Sequence, residues 1–64
     1  MKTYFLAADF YKPGMNKFIN TIVTADLNDV SLQELARRTI AESFPHLSMS
    51  ALTIKVTAFN NIEI

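Results

Sequence analysis

The sequence predicts one small α+β domain over residues 1–64, with the element order ββαβ. Three observations lead to this fold class. Two segments rich in aromatic and β-branched residues are separated by Pro13-Gly14, a helix-start signal follows at Ser31, and the last segment alternates apolar with polar residues. The expected architecture is a three-stranded sheet in the order 2-1-3 with one helix packed on one of its faces.

The first two strands are expected to form a hairpin. Residues 2–11, "KTYFLAADFY", form the first strand, and residues 17–25, "KFINTIVTA", form the second. Between them, Pro13 presets φ at the second position of a type II turn, and Gly14 takes the positive φ needed at the third. The spacing predicts a loop slightly longer than two residues.

The helix is predicted over about residues 31–44. Ser31 and Glu34 have the spacing of a capping box, in which the serine oxygen accepts a backbone N–H of the first turn. Pro45 disfavours helical backbone angles at the residue before it, so the helix should stop near Ser43. The apolar stripe of this helix consists of Leu32, Leu35, Ala36, Thr39, Ile40 and Phe44.

The third strand is predicted over about residues 51–59. Simple alternation places Leu52, Ile54 and Val56 on the face under the helix and Phe59 on the opposite face. A right-handed crossover through the helix makes this strand parallel to the second strand and antiparallel to the first. The first strand takes the centre of the sheet because its run from Tyr4 is the most continuously apolar.

A second apolar sheet face, opposite the helix, is the main functional expectation. Contiguous exposed apolar surface usually marks an interface, and a chain this small often gains stability by association. Half of the residues are hydrophobic and the formal net charge is zero, which favours self-association. The sequence therefore predicts a homodimer and a protein partner, both contacted through the sheet. The expected contact residues are Phe5, Tyr11, Phe18, Ile22 and Phe59.

Catalytic, metal and cofactor sites are not expected. The chain has no cysteine, one glycine and one histidine, so thiolate metal sites and glycine-rich phosphate loops are excluded. His46 has no triad-like partners, and Asp9 is expected to lie on the accessible face or to pair with Lys55. No segment approaches the roughly 18 apolar residues of a membrane span, so the expected location is the cytoplasm.

Nucleic-acid binding is the alternative function. Lys12 and Lys17 flank the hairpin turn beside aromatic rings, and Arg37 and Arg38 lie on the helix. Basic loops with stacking rings bind single strands, whereas the same residues also suit a solvated hairpin tip and a solvated helix face. Six basic residues balance six acidic ones, which argues against a protein built mainly to bind a polyanion.

The chain resembles a recurrent type of short, uncharacterised phage or prophage protein. The resemblance lies in "TYFLAADFY", in "TIVTAD" followed by "SLQELARRTIAE", and in "LTIKVTAF". It implies a small non-enzymatic protein that acts by binding a host or phage macromolecule, for example as an inhibitor of host defence or replication enzymes. It implies no catalytic residues.

Overall fold

The computed structural model describes residues 2–62 and confirms the predicted fold. The elements are β1 (Lys2–Lys12), β2 (Met15–Ala25), α1 (Leu32–Ser43) and β3 (Thr53–Asn61). They form one three-stranded sheet in the order β2-β1-β3, in which both outer strands run antiparallel to β1. The chain is therefore a single small α+β domain with a ββαβ arrangement.

The β1–β2 hairpin is tighter than predicted. Lys12 pairs with Met15, so only Pro13 and Gly14 lie between the strands. Gly14 has a φ of +85°, the conformation expected at the third turn position, and a glycine adopts it without steric cost. Because the turn needs no further residues, β2 begins two residues earlier than the sequence suggests.

Helix α1 begins and ends at the predicted signals. Ser31 has extended backbone angles, and its Oγ accepts the N–H of Glu34 at 3.1 Å. Phe44 leaves the helical conformation at φ −130°, ψ 73°, while its N–H still donates to the Ile40 carbonyl at 2.9 Å. The residue after it is Pro45, which explains the stop.

The core lies between α1 and one face of the sheet, which we call the covered face. The Phe10 ring is fully buried, and its centroid lies 5.3 Å from that of Phe44, just beyond the helix. The apolar side of the helix meets the even-numbered residues of β1. The buried cluster consists of Leu6, Ala8, Phe10, Ala36, Ile40, Leu52 and Ile54.

An irregularity in β3 changes which of its residues face the helix. Ala8 pairs with Val56, but the neighbouring Ala7 pairs with Ala58, so Thr57 is an extra residue in the ladder. One extra residue inverts the alternation of side chains for the rest of a strand. The bulge therefore turns Ala58 away from the helix. The ladder also continues to Asn61, so β3 begins and ends two residues later than predicted.

Phe59 consequently lies on the covered face, and its predicted position on the opposite face is wrong. It pairs with Leu6, packs against the buried cluster, and its ring stacks on Tyr4 with centroids 4.5 Å apart and an interplanar angle of 20°. The physical reason is burial: the bulge exchanges a small alanine for a large aromatic ring at the core.

Candidate interaction surface

The sheet face opposite α1, which we call the open face, is covered by no element within residues 2–62. Its most exposed large apolar side chains are Phe18 (69%), Ile22 (56%) and Tyr11 (43%). They stand on alternate positions of neighbouring strands and so project from the same side of the sheet. The register places these residues on the open face: Thr3, Phe5, Ala7, Asp9, Tyr11, Asn16, Phe18, Asn20, Ile22, Thr24, Thr53, Lys55, Ala58 and Asn60.

Four of the five predicted contact residues share this face. Phe5 is half-buried and pairs directly with Ile22, and Phe18 lies opposite Asp9, beyond the intervening Ala7–Asn20 pair of the same face. Tyr11 lies on β1, near the hairpin turn. The fifth, Phe59, belongs to the core as described above. The apolar part of the open face is thus concentrated on β1 and β2.

The open face carries no net charge. Its two charged residues, Asp9 and Lys55, are cross-strand partners on β1 and β3. The expectation that Asp9 lies on the accessible face beside Lys55 therefore agrees with the register. Threonine and asparagine supply most of the remaining polar groups. An aromatic patch with a neutral polar surround is typical of protein–protein interfaces.

The two edges of the sheet differ in protection. On the β3 edge, the Gln33 side chain donates to the Ile54 carbonyl at 3.3 Å, and the bulge at Thr57 makes the pairing of this strand irregular. β2 has 11 residues, no proline and no bulge, and Lys17 is its one charged residue. Long edges with few charges are templates for pairing with another strand. The β2 edge is therefore a second candidate surface.

A groove of about 490 Å³ lies between β2 and α1. Its charged lining residues are Asp26, Asp29 and Glu42 against the single base Arg38, so its net formal charge is −2 (one base minus three acids). We call it the acidic groove. Sequence reasoning missed it, because these residues come from a loop and a helix that only tertiary packing brings beside β2.

The four basic residues of the nucleic-acid alternative do not form one positive surface. The Lys12 ammonium donates to the Ser48 carbonyl at 3.0 Å, and Arg38 lines the acidic groove. Lys17 lies on the covered-face side of β2, opposite Phe10, and Arg37 is half-buried on α1. Phosphate backbones bind to grouped cations, so this dispersion does not favour polyanion binding.

Within residues 2–62, no three His, Asp or Glu side chains are grouped to hold a metal ion, and His46 is exposed in the connection after α1. No helix in this range has the length and apolarity required to cross a bilayer. The open face and the β2 edge remain the surfaces with the clearest physical signal.

Comparison with known proteins adds no relative. No protein-family model matches this chain, and no curated protein and no solved structure matches it. Any assignment of function therefore depends on the chemistry of the surfaces described above.

Proposed function

We propose that this protein is a small non-enzymatic interaction module that binds another protein through its open face. The observation that carries the proposal is the exposure of Phe18 and Ile22 on a sheet whose other face packs against α1. Covering even 200 Å² of apolar surface is favourable by about 5 kcal/mol before the costs of association. A partner on this face supplies the cover that no element within residues 2–62 provides.

The chemistry of the open face favours a protein over a nucleic acid. Asp9 and Lys55 cancel each other's charge, and the aromatic and branched side chains offer contact area rather than cations. The resemblance to short phage and prophage proteins supports a host or phage protein in the cytoplasm as the partner. Self-association through the sheet belongs to the same proposal, since a chain with a formal net charge of zero does not repel its own copy.

Affinity capture with matched aspartate variants tests the open face. Tyr11→Asp introduces a charge on this face away from the β2 edge, and His46→Asp introduces the same charge in an exposed loop outside it. A protein from a bacterial lysate that is retained by wild type and His46→Asp, but lost with Tyr11→Asp, would support the proposal. Equal retention by both variants, or no protein retained by wild type, would overturn it.

A further inference from the structure

The backbone groups of β2 that point out of the sheet can be assigned from one hydrogen bond. The Ile62 N–H donates to the Thr3 carbonyl at 3.0 Å, so odd-numbered residues of β1 direct their backbone groups towards β3. Even-numbered residues of β1 therefore face β2, and in an antiparallel ladder they bond to the odd-numbered residues of β2. The outward N–H and C=O groups on β2 thus belong to Asn16, Phe18, Asn20, Ile22 and Thr24.

We infer that the β2 edge pairs antiparallel with β2 of a second copy about a twofold axis at Asn20. Asn20 is the midpoint of β2, so this register pairs the whole strand, with Met15 opposite Ala25 of the second copy. It also sets Phe18 opposite Ile22 of the second copy on the open face. The inference rests on the proposed homodimer and specifies its surface and register.

Apolar complementarity singles out this register. Phe18 and Ile22 are the two most exposed large apolar side chains in the described chain. Residues directly opposite in a hydrogen-bonded pair project from the same face, and aromatic–β-branched pairs are favourable. With the axis at Asn20, Phe18 of each copy lies opposite Ile22 of the other, so the contact forms twice. If the axis lay at any other residue of β2, Phe18 and Ile22 would no longer be opposite each other.

Charge complementarity on the other side of the sheet supports the same register. Lys17, the one charged residue of β2, comes to lie opposite Val23 of the second copy. Val23 lines the acidic groove, where Asp26, Asp29 and Glu42 outnumber a single arginine. Each copy thus brings its lysine to the mouth of the other copy's groove. Opposite charges meeting across an interface fix its register.

The resulting dimer has one continuous six-stranded sheet. Both helices lie on the same side of it, because a twofold axis perpendicular to the sheet preserves the faces. The open faces join edge to edge and leave Phe5 and Tyr11 available for the protein partner. A face-to-face dimer would instead cover these two side chains and bring neither Lys17 to an acidic groove.

Cysteine cross-linking tests the axis. The natural chain has no cysteine, so Asn20→Cys introduces a single thiol. Opposed residues of a hydrogen-bonded pair have Cα atoms about 5.5 Å apart, within the range that a disulfide spans. We expect mild oxidation to give a disulfide-linked dimer with Asn20→Cys, whereas Asn60→Cys, also exposed on the open face but on β3, gives no disulfide-linked dimer. No covalent dimer with Asn20→Cys, or equal covalent dimer with both variants, would overturn the inference.

A mixed cross-link tests the register. Thr24 of one copy lies opposite Asn16 of the other, so Thr24→Cys mixed with Asn16→Cys should form a disulfide-linked heterodimer. Each variant alone should form no disulfide-linked dimer, because its two thiols lie far apart along the paired strands. A disulfide-linked homodimer of either variant, or failure of the mixture to cross-link, would refute this axis even if the chain self-associates in another way.

Charge reversal tests the contact with the acidic groove. Lys17→Glu should raise the dissociation constant of the dimer by roughly tenfold or more, because it places an acidic side chain beside the acidic groove of the other copy. Lys55→Glu, on the open face of β3, should leave the constant unchanged. Sedimentation at several concentrations measures the dissociation constants of both variants. A constant raised by Lys55→Glu and unchanged by Lys17→Glu would place the dimer interface on the open face instead. If Asn20→Cys cross-links but no protein partner is captured, the dimer is supported and the proposed function is overturned. If a partner is captured but Asn20→Cys does not cross-link, only the dimer is refuted.

Discussion

Two phenylalanines on neighbouring strands, Phe10 and Phe18, show how differently the two sheet faces are used. Phe10 is fully buried on the covered face, whereas Phe18 is 69% exposed on the open face. Both stand in regular strand positions of one hairpin. The core is therefore built on one face of the sheet, while the other face leaves large apolar groups exposed.

The largest expected effect is the loss of Phe10. Phe10→Ala should reduce the free energy of unfolding by about 3–5 kcal/mol, since it leaves a cavity in the core. A 64-residue domain has only about 3–10 kcal/mol in total, so much of the population should unfold. Urea denaturation followed by circular dichroism measures this. Phe18→Ala, under conditions where the protein is monomeric, should change stability by less than about 0.5 kcal/mol. Equal losses of unfolding free energy in Phe10→Ala and Phe18→Ala would contradict the assignment of the core to the covered face.

The position of Phe59 sharpens the comparison. Because its ring stacks on Tyr4 and contacts the core, Phe59→Ala should cost about 2–3 kcal/mol, somewhat less than the loss at a fully buried phenylalanine. Tyr11→Ala on the open face provides the control and should cost under about 0.5 kcal/mol. A Phe59→Ala variant as stable as wild type would return this ring to the open face and argue against the bulge at Thr57.

The cap of α1 tests how firmly the covering helix is held. Ser31→Ala removes the acceptor of the Glu34 N–H and should cost about 1 kcal/mol in thermal or urea unfolding. Ser43→Ala, an exposed position in the last turn, is the matched control and should be close to neutral. If both substitutions proved neutral, packing alone would hold the first turn of α1 on the covered face.

Two residues with positive φ outside the two faces should respond in opposite directions. Ala51 has a φ of 59°, which strains a residue with a Cβ, so Ala51→Gly should stabilise the chain by about 0.5–1 kcal/mol. Gly14 has a φ of +85° with no atom within 4 Å of an added Cβ, so Gly14→Ala should cost about 1 kcal/mol through backbone strain alone. Melting temperatures measure both, and changes of the same sign would contradict the assignment of strain.

The smallest expected effect concerns nucleic acids. Because Lys12 donates to a carbonyl and Arg38 lies beside the acids of the acidic groove, labelled single- and double-stranded oligonucleotides should show no mobility shift at low salt. A shift that rises as salt falls, and that disappears in a Lys17→Glu, Arg37→Glu double variant, would instead establish the nucleic-acid alternative. It would also assign function to the helix side of the molecule.

Much of the candidate surface could be predicted because strand alternation is simple on β1 and β2. Phe5, Tyr11, Phe18 and Ile22 share the open face, as expected from counting positions along two regular strands. Counting failed at Phe59, since no glycine or other local signal marks the bulge at Thr57. The acidic groove could not be predicted either, because it depends on how far α1 lies from the β2 edge.

The sequence by itself determined the features that depend on neighbours within a few residues. Pro13-Gly14 specified the turn, Ser31 the start of α1, and Pro45 its end, and the order of these signals predicted the ββαβ topology. Only the tertiary structure decided the register of β3. A regular ladder would put Ala58 against the core and Phe59 in solvent; the bulge reverses this, because burying the larger ring on Tyr4 removes more apolar surface from water.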